Sequence, residues 1–312
     1  MQTITPATTP AIVARGLTRL FPGGHGVQDL DLHVPAGAVY GFLGPNGAGK
    51  TTTIRLLLGL LRPQAGDVGL FGHSVAADRG AALSQVGALV ESPSLYGHLS
   101  GRDNLEVTRR LLGLAPARID AVLERVGLLD AGHRKVREYS LGMRQRLAIA
   151  LSLLGSPRLL VLDEPGNGLD PAGILDMRQL LRGLAAEGMT VFVSSHQLGE
   201  IEQVATHVGV LRAGRLCFEG RLEELRGRVR PRLLLRCGDN LRARALLASH
   251  GDSVAWRDPE TLVLGLEGKT PAQVNHFLVT HGIEVQHLAL ERASLESLVF
   301  DLTVDQAMGE AA

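Results

Sequence analysis

The segment Gly44–Thr52, GPNGAGKTT, restricts the possible fold more than any other part of the sequence. It fits the spacing G-x-x-x-x-G-K-[ST], directly follows the apolar run Ala38–Leu43 and directly precedes a helical pattern. Glycines let the backbone wrap closely around a phosphate chain, and successive N–H groups at a helix start form an anion-binding nest. The sequence therefore predicts a phosphate-binding loop (P-loop) between a strand and a helix. Its expected ligand-binding residues are Gly44, Pro45, Asn46, Gly47, Ala48, Gly49, Lys50, Thr51 and Thr52.

Lys50 and Thr51 are the chemically specific residues of this loop. We expect Lys50 to reach the β- and γ-phosphates of a nucleotide and Thr51 to hold Mg²⁺. Lysine occurs only at Lys50, Lys135 and Lys269, and a compact ammonium suits a phosphate. The alternative, a glycine-rich turn without a ligand, does not explain the strand before the loop and the helix after it.

The run Leu159–Pro165, LLVLDEP, is a strand pattern that ends in two carboxylates. Two buried acids need a cation nearby, or one of them must take up a proton. Because a P-loop is present, we expect Asp163 to bind Mg²⁺ and Glu164 to polarise the attacking water. The next strand pattern ends in VSSH, and we expect His196 to hydrogen-bond the γ-phosphate and orient the water. A purely structural histidine is the alternative.

The segment Tyr139–Ala150, YSLGMRQRLAIA, begins a helix. Ser140 stands where an N-cap belongs, so the helix presents free backbone N–H groups and a positive dipole end. Such an end attracts an anion. The residues expected to bury one face of this helix recur at helical spacing, namely Leu147, Ala150, Leu151 and Leu154.

Short apolar runs alternate with helical patterns from about Val13 to Glu224, which predicts an α/β domain with a parallel sheet. The expected strands are Val13–Leu17, Asp29–Val34, Ala38–Leu43, Gly87–Val90, Leu159–Leu162, Met189–Val193 and Val208–Leu211. The expected helices that follow strands are Lys50–Leu61, Pro171–Ala186 and Gln197–Val204. Only helical patterns occur in the region of about 100–155, which predicts an all-helical insert. Its first two helices are expected at Asp103–Leu112 and Arg118–Val126.

After the arginine-rich stretch Arg226–Arg232, the order becomes strand, helix, hairpin, helix, strand, which is that of a ferredoxin-like βαββαβ unit. A last helix is expected at Ser294–Thr303. We therefore expect a disordered tail at 1–11, the α/β domain at 12–225 and a small α+β domain at 226–312. The arginine-rich stretch is interpreted as a solvated linker, with nucleic-acid binding as the alternative.

The composition narrows the class of protein. The 312 residues include 32 Lys and Arg and 32 Asp and Glu, so the net charge is zero and no global basic field attracts nucleic acid. Cys217 and Cys237 lack metal-ligand spacing, which favours a reducing compartment. No apolar run approaches the roughly 20 residues needed to cross a bilayer. The N-terminal segment does not have the pattern of a signal peptide.

The P-loop, YSLGMRQR, LDEP, GLDP and SSH, in this chain order, resemble the ATP-binding subunits of ABC transporters over roughly Val13–Glu224. The resemblance implies an ABC-type fold that binds ATP and Mg²⁺. It also implies a head-to-tail homodimer, in which the signature helix of one copy points at the γ-phosphate held by the other. Ser140 and Gly142 match the serine and second glycine of that signature. Leu141 and Met143 depart from its common glycine and glutamine.

The resemblance extends to further positions. Phe21 matches the aromatic residue that stacks on adenine, with a core phenylalanine as the alternative. Asn167–Asp170 matches the D-loop that crosses to the opposite site, so Asp170 is expected near the nucleotide there. Gly166 departs from the usual threonine. Glu91 stands where the family usually has a glutamine that contacts Mg²⁺, and a carboxylate can also ligate the metal.

A glutamate at position 91, followed by SPSLYGHLSG and a C-terminal SLESLVFDLT, looks like the bacitracin-resistance and lantibiotic-immunity branch of exporter ATPases. An unrelated, tolerated substitution is the alternative. The branch implies a peripheral motor at the cytoplasmic face of the membrane that drives a separate transmembrane permease for drugs or antimicrobial peptides, with Tyr96 and Leu99 as docking anchors. The competing hypothesis is a non-transport ABC ATPase acting on nucleic acid or ribosomes. A P-loop kinase is a weaker one, because no acceptor-binding motif is visible.

Overall fold

The computed structural model describes residues 9–91, 94–227, 231–266 and 268–291. The chain divides into two compact units, Met1–Leu222 and Glu223–Ala312, whereas the sequence predicts the boundary after residue 225. The helix expected at Ser294–Thr303 and residues 1–8 of the expected tail lie outside the described residues. Ala11 is fully buried and its amide donates to the Val34 carbonyl at 2.8 Å, so the expected tail extends too far along the chain.

The strands of the first unit form two sheets. In chain order they are β1 (Ile12–Leu20), β2 (Gly26–Val34), β3 (Val39–Leu43), β4 (Ala65–Leu70), β5 (His73–Ser74), β6 (Val86–Leu89), β7 (Leu159–Asp163), β8 (Thr190–Ser195), β9 (His207–Arg212) and β10 (Arg215–Arg221). The larger sheet has the order β10-β9-β3-β8-β7-β6, in which all neighbours run parallel except β10 and β9. Every residue of β3, β7 and β8 is buried, as expected for parallel strands covered on both faces.

The expected strands at Val13–Leu17 and Asp29–Val34 do not join the parallel sheet. They belong to a separate antiparallel sheet with the order β2-β1-β4-β5. In β2, Leu30, Leu32 and Val34 are buried and the residues between them are exposed. This alternation is the signal of a half-buried strand and could have separated β2 from the parallel set. The short strand β5, the glycine-containing β4 and the largely polar β10 were not expected.

The first helices in chain order are α1 (Lys50–Leu57), α2 (Arg79–Leu83), α3 (Gly101–Leu111), α4 (Ala117–Arg125), α5 (Leu141–Leu153), α6 (Pro171–Ala186), α7 (Leu198–Ile201) and α8 (Leu222–Gly227). Between β6 and β7 the described chain forms α3, α4 and α5, which is the expected helical insert. In the described ranges, none of the helices combines the length and the apolar composition needed to span a bilayer.

Two helices are shorter than expected. The helix predicted at Lys50–Leu61 stops with α1, because Gly59 follows in the left-handed region, with a φ of 61°, where helices commonly end. The helix predicted at Gln197–Val204 is reduced to α7. After α7 the chain forms a turn tighter than an α-helix, in which the Val204 amide donates to the Ile201 carbonyl at 3.0 Å.

Aromatic side chains fix the centre of the parallel sheet. The ring of Phe192 on β8 lies 5.4 Å from that of Tyr40 and 5.3 Å from that of Phe42, both on β3. The Tyr40 hydroxyl donates to Glu219 Oε1 on β10 at 2.9 Å. Burial, followed by the charge of Glu219, raises the pKa of Tyr40 well above its ordinary value. These contacts hold β3 and β8 in place. The expected site residues follow both strands directly, the P-loop after β3 and His196 after β8.

The second unit confirms the expected ferredoxin-like arrangement. Its elements are β11 (Arg232–Cys237), α9 (Asn240–Ser249), β12 (Val254–Asp258), β13 (Thr261–Gly265), α10 (Pro271–Thr280) and β14 (Val285–Glu291). The sheet has the order β12-β13-β11-β14 and all its neighbours are antiparallel. Its buried residues include Leu233, Leu235, Leu262, Leu264, Val274 and Leu278, which come from strands and from α10. The unit therefore has its own hydrophobic core.

Alanine substitutions at two glycines, one in a crowded and one in an open position, test the packing of the first unit. A Cβ on Gly87 in β6 would lie 2.2 Å from the Ser152 carbonyl oxygen of α5, whereas a Cβ on Gly183 in α6 would meet no atom within 4 Å. We expect Gly87→Ala to lower the free energy of unfolding by about 1–3 kcal/mol through overpacking. Gly183→Ala should raise it by up to about 1 kcal/mol through helix propensity. Urea unfolding followed by circular dichroism measures both, and equal midpoints would contradict the described packing of β6 on α5.

Candidate functional site

The carboxyl ends of three neighbouring parallel strands define the candidate site. The P-loop follows β3, Glu164 follows β7 and His196 follows β8. The register places Leu43 opposite Ser195, at the ends of β3 and β8. Because the strands are adjacent and parallel, their following residues meet at one edge of the sheet, where α/β proteins bind ligands.

Two glycines set the path of the P-loop. Gly49, the N-cap of α1, has a φ of 108°, and a Cβ there would lie 2.8 Å from the Gly26 carbonyl oxygen. A Cβ on Gly44 would lie 2.4 Å from the Leu211 carbonyl oxygen. The first turn of α1 contains no acidic residue, so its positive dipole end is not neutralised locally. The loop and the helix start together have the form of an anion-binding site.

Lys50 lies inside this loop and is only 6% exposed. Its ammonium donates to the carbonyl oxygens of Gly44 at 2.7 Å and Pro45 at 3.3 Å, and it is ion-paired with Glu164 Oε1 at 3.1 Å. The ammonium thus has two hydrogen-bond acceptors in the loop and one carboxylate as an ion-pair partner. A phosphate oxygen that approaches Lys50 competes with the Glu164 carboxylate for this charge.

The carboxylate of Asp163 joins the P-loop helix to β8. It is buried, and Oδ2 accepts from the Thr51 hydroxyl at 2.8 Å while Oδ1 accepts from the Ser194 hydroxyl at 2.6 Å. The Ser194 hydroxyl also accepts from the Glu164 amide at 3.0 Å. Sequence analysis missed Ser194, although a serine within the otherwise apolar strand pattern VFVSS was a usable signal.

The donor set at Thr51 and Asp163 fits a magnesium ion. A hydroxyl and a carboxylate oxygen 2.8 Å apart are hard oxygen ligands of the kind that Mg²⁺ binds together with substrate phosphates. In the parts of the chain that the structure describes, no group of three or more His, Cys, Asp or Glu side chains could hold a metal ion by itself.

Glu164 connects the P-loop to His196. Its Oε2 lies 2.5 Å from His196 Nδ1, while its Oε1 carries the ion pair with Lys50. Of the two adjacent acids, Glu164 thus has Lys50 as its neutralising cation. The Glu164 backbone has a φ of 49°, which a non-glycine residue adopts at a cost of about 1–3 kcal/mol. The site therefore brings a base candidate, its histidine partner and a phosphate-binding cation into direct contact.

Ser140 and Asp170 each cap a helix. The Ser140 hydroxyl accepts from the Met143 amide at 3.2 Å, which confirms the N-cap predicted for α5. Asp170 Oδ1 accepts from the Gly173 amide at 2.8 Å at the start of α6. Among the described residues, no hydrogen bond or ion pair joins Ser140 or Asp170 to the P-loop of the same chain. Their expected contacts with a nucleotide, and that of Gly142, stay predictions.

Phe21 and Glu91 also lack a bond to the other site residues. Among the described residues, no hydrogen bond or ion pair joins either of them to Lys50, Thr51, Asp163, Glu164 or His196. Phe21 is half-buried and the guanidinium of Arg19 lies 5.4 Å from its ring centroid, so Phe21 is not part of the core. The side chain of Glu91 is 59% exposed and forms an ion pair with Arg55 of α1. The structure thus brings Glu91 to a cation on α1, and its expected contact with Mg²⁺ stays a prediction.

Gly166 faces the side chain of Glu200. A Cβ at this position would lie 2.9 Å from Glu200 Oε2, the end of a flexible side chain. Glu200 Oε2 also accepts from the Ser195 hydroxyl at 3.4 Å. Among the described residues, Glu200 Oε1 and Arg178 Nε are buried without a hydrogen-bond partner. Sequence analysis missed Glu200 as a neighbour of the turn that follows Glu164.

Comparisons with known proteins agree with this geometry. Residues 27–167 match the family model for the ABC transporter. The chain is 41% identical over 288 residues to the bacitracin transport ATP-binding protein BcrA of Bacillus licheniformis, covering 90% of this chain and 93% of that protein. It is 37% identical over 307 residues to the daunorubicin/doxorubicin resistance ATP-binding protein DrrA of Streptomyces peucetius, covering 95% and 93%.

Further relatives and solved structures support the same assignment. The lantibiotic transport ATP-binding protein SrtF of Streptococcus pyogenes is 40% identical over 193 residues, covering 62% of this chain and 83% of SrtF. A structure of the ATP-binding subunit of an ABC transporter superposes with a TM-score of 0.62 at 27% identity, covering 70% of this chain and 92% of that chain. A nucleotide-free ATP-binding cassette gives a TM-score of 0.63 at 23% identity, covering 70% and 94%, and shows the fold alone.

A parallel sheet with a P-loop at the end of one strand and paired acids at the end of the next strand but one defines a nucleotide-binding domain of the P-loop class. The helical insert and the similarity to transport ATP-binding proteins over most of the chain make the assignment narrower. The protein belongs to the ATP-binding subunits of ABC transporters, which implies ATPase activity. The resemblance drawn from the motif order, and the fold expected from it, are confirmed.

The Ser194 hydroxyl gives a test of the site's architecture. We expect Ser194→Ala to lower the free energy of unfolding by about 1–3 kcal/mol, because it leaves an oxygen of the buried Asp163 carboxylate without its donor. Ser84→Ala is the control, since its hydroxyl donates to an exposed carbonyl and its loss should change stability by less than about 0.5 kcal/mol. Thermal and urea unfolding compare the two, and equal stabilities would mean that Ser194 does not hold Asp163.

Proposed function

We propose that this protein is the ATP-hydrolysing motor of an exporter. Two copies bind MgATP head to tail at the cytoplasmic face of the membrane and drive a separate permease. The observation that supports this most directly is the bonded set at the sheet edge. In it, Ser194 joins Asp163 and Thr51 to Glu164, Lys50 and His196.

The geometry suggests how the chain's own residues act. Lys50 binds a phosphate oxygen in exchange for Glu164 Oε1, which frees that oxygen to accept a proton from the attacking water. His196 stays bonded to Glu164 Oε2 and holds the carboxylate in position. Mg²⁺, when held by Thr51 and Asp163, supplies charge that offsets the phosphates. Lys50 thereby couples phosphate binding to the release of the base.

The surface at the start of α5 supports a shared nucleotide site. The first N–H groups of α5 point to its N-terminal end, and Ser140 is exposed there. Gly142 lies in the same first turn and has no side chain that would screen these N–H groups. We infer that a phosphate held by a second copy meets this end of the helix. Asp170 is also exposed, and we infer the same role for it. We also propose that Phe21 stacks on adenine in its own chain.

The permease partner is inferred from the loop before α3. Tyr96 is 54% exposed, and its backbone is fixed by Asn104, whose Oδ1 accepts from the Tyr96 amide at 2.8 Å and whose Nδ2 donates to the Tyr96 carbonyl at 3.1 Å. Leu99 is half-buried in the same loop. An exposed aromatic side chain on a backbone held by two hydrogen bonds is suited to docking. The names of the relatives, which mention bacitracin, lantibiotic and daunorubicin, support a drug or an antimicrobial peptide as cargo.

Replacing the proposed base tests the hydrolytic mechanism. We expect Glu164→Gln to reduce ATP hydrolysis by about 10²-fold or more, because an amide cannot accept the proton of water. ATP affinity should rise, because the neutral amide competes less strongly for Lys50 than the carboxylate does. Phosphate release and equilibrium nucleotide binding measure the two effects. Lys50→Ala is the control and should lose nucleotide binding. Unchanged turnover in Glu164→Gln would rule out Glu164 as the base.

Isolation of the protein with its partners tests the transport assignment. We expect the tagged chain, purified in detergent from membranes of its own host, to carry a polytopic membrane protein. Tyr96→Ala should reduce this recovery, whereas Leu60→Ala should not, since Leu60 is 57% exposed but lies outside the loop and the helical insert. Recovery of ribosomes or nucleic acid in place of a membrane protein would contradict the exporter and favour the non-transport alternative.

A further inference from the structure

Two loops of one chain interlock through a pair of leucines and a pair of glycines. The place of a Cβ on Gly168 lies 3.1 Å from Leu141 Cδ2, and the place of a Cβ on Gly142 lies 3.8 Å from Leu169 Cδ2. Each leucine thus lies over the glycine of the opposite loop. We call this set of Leu141, Gly142, Gly168 and Leu169 the leucine clasp. It joins the start of α5 to the loop that precedes α6.

The backbone of the loop before α6 is arranged to receive Leu141. Gly168 has a φ of 76°, a conformation that favours glycine, and a side chain there would also meet Leu141. The Asn167 amide donates to the Glu164 carbonyl at 3.1 Å, and the Leu169 amide donates to the Gly166 carbonyl at 3.1 Å. These two turns hold Gly168 and Leu169 in a fixed geometry that begins at Glu164.

A second contact joins the same two helices further along. Arg146 Nη1 of α5 lies 3.8 Å from Asp176 Oδ2 of α6. Ser140 and Asp170 are the N-caps of these helices. The start of α5 is therefore joined to the loop that ends at Asp170, and α5 is joined to α6 by the ion pair of Arg146 with Asp176.

We propose that Leu141 is a positioning residue that locks the signature loop to the D-loop of its own chain. The position is one at which this sequence departs from glycine, and a glycine would have no side chain to reach Gly168. The functional consequence rests on the proposed head-to-tail dimer. There, Ser140, Gly142 and Asp170 of one copy engage and release the nucleotide of the other copy as a single unit.

Hydrogen exchange of the full-length chain tests the clasp without requiring a dimer, a permease or catalysis. We expect Leu141→Ala to speed exchange of the Asn167 and Leu169 amides by about fivefold, because a contact of a partly buried leucine is lost. Leu129→Ala is the matched control, since Leu129 is 40% exposed and Leu141 is 38% exposed. Leu169→Ala removes the second contact of the clasp, that of Leu169 with Gly142, and provides a second variant. Unchanged exchange at residues 167 and 169 in folded Leu141→Ala overturns the clasp.

Kinetics test the consequence for function. We expect Leu141→Ala to lower kcat several-fold with unchanged ATP affinity in the single chain, because the ATP-binding residues of that chain are intact. The double variant with Leu169→Ala should lose less than the sum of the two single losses, since either substitution already opens the clasp. Additive losses, or an unchanged kcat together with faster exchange, overturn the coupling of the two loops. A wild-type chain without ATPase activity contradicts the proposed function instead and leaves the exchange result standing.

Discussion

The buried carboxylate of Asp163 is the group on which the site depends. It accepts from Thr51 on α1 and from Ser194 on β8, and Ser194 in turn accepts from the Glu164 amide. A buried carboxylate is costly unless its oxygens are hydrogen-bonded. The three strand ends that carry the P-loop, the acids and the histidine therefore cannot separate without leaving an unpaired charge. The same carboxylate is also half of the donor set that fits Mg²⁺.

The second constraint concerns Lys50, which is ion-paired with Glu164 and is also the expected partner of a nucleotide phosphate. Its ammonium donates to two loop carbonyls and is ion-paired with Glu164, so a phosphate competes with Glu164 for it. Glu164 is also bonded to His196, which orients the carboxylate. Elsewhere in the same unit, the signature loop and the D-loop touch through the leucine clasp, and the D-loop begins directly after Glu164 and Pro165. The turn that begins at Glu164 is thus continuous with the loop that carries Gly168 and Leu169 of the clasp.

Much of the fold and part of the site follow from local patterns. The P-loop, the buried strands β3 and β7, the N-cap at Ser140 and the whole βαββαβ unit were predictable, because spacing, capping chemistry and apolar period act over a few residues. The helix predicted at Pro171–Ala186 has those bounds in the structure. Strands β4 and β10 could not be predicted, since glycines and polar residues hide them and only their partners across the sheet define them.

The sequence by itself determined the chemistry of the site: a lysine and a threonine after a strand, two acids after another and a histidine after a third. Only the tertiary structure decided which groups touch. It paired β1 with β4, assigned Ser194 to Asp163, paired Glu91 with Arg55 and laid Leu141 over Gly168. The physical reason is that these contacts join residues far apart in the chain. Such contacts are fixed by how strands pair and helices pack, which no local pattern encodes.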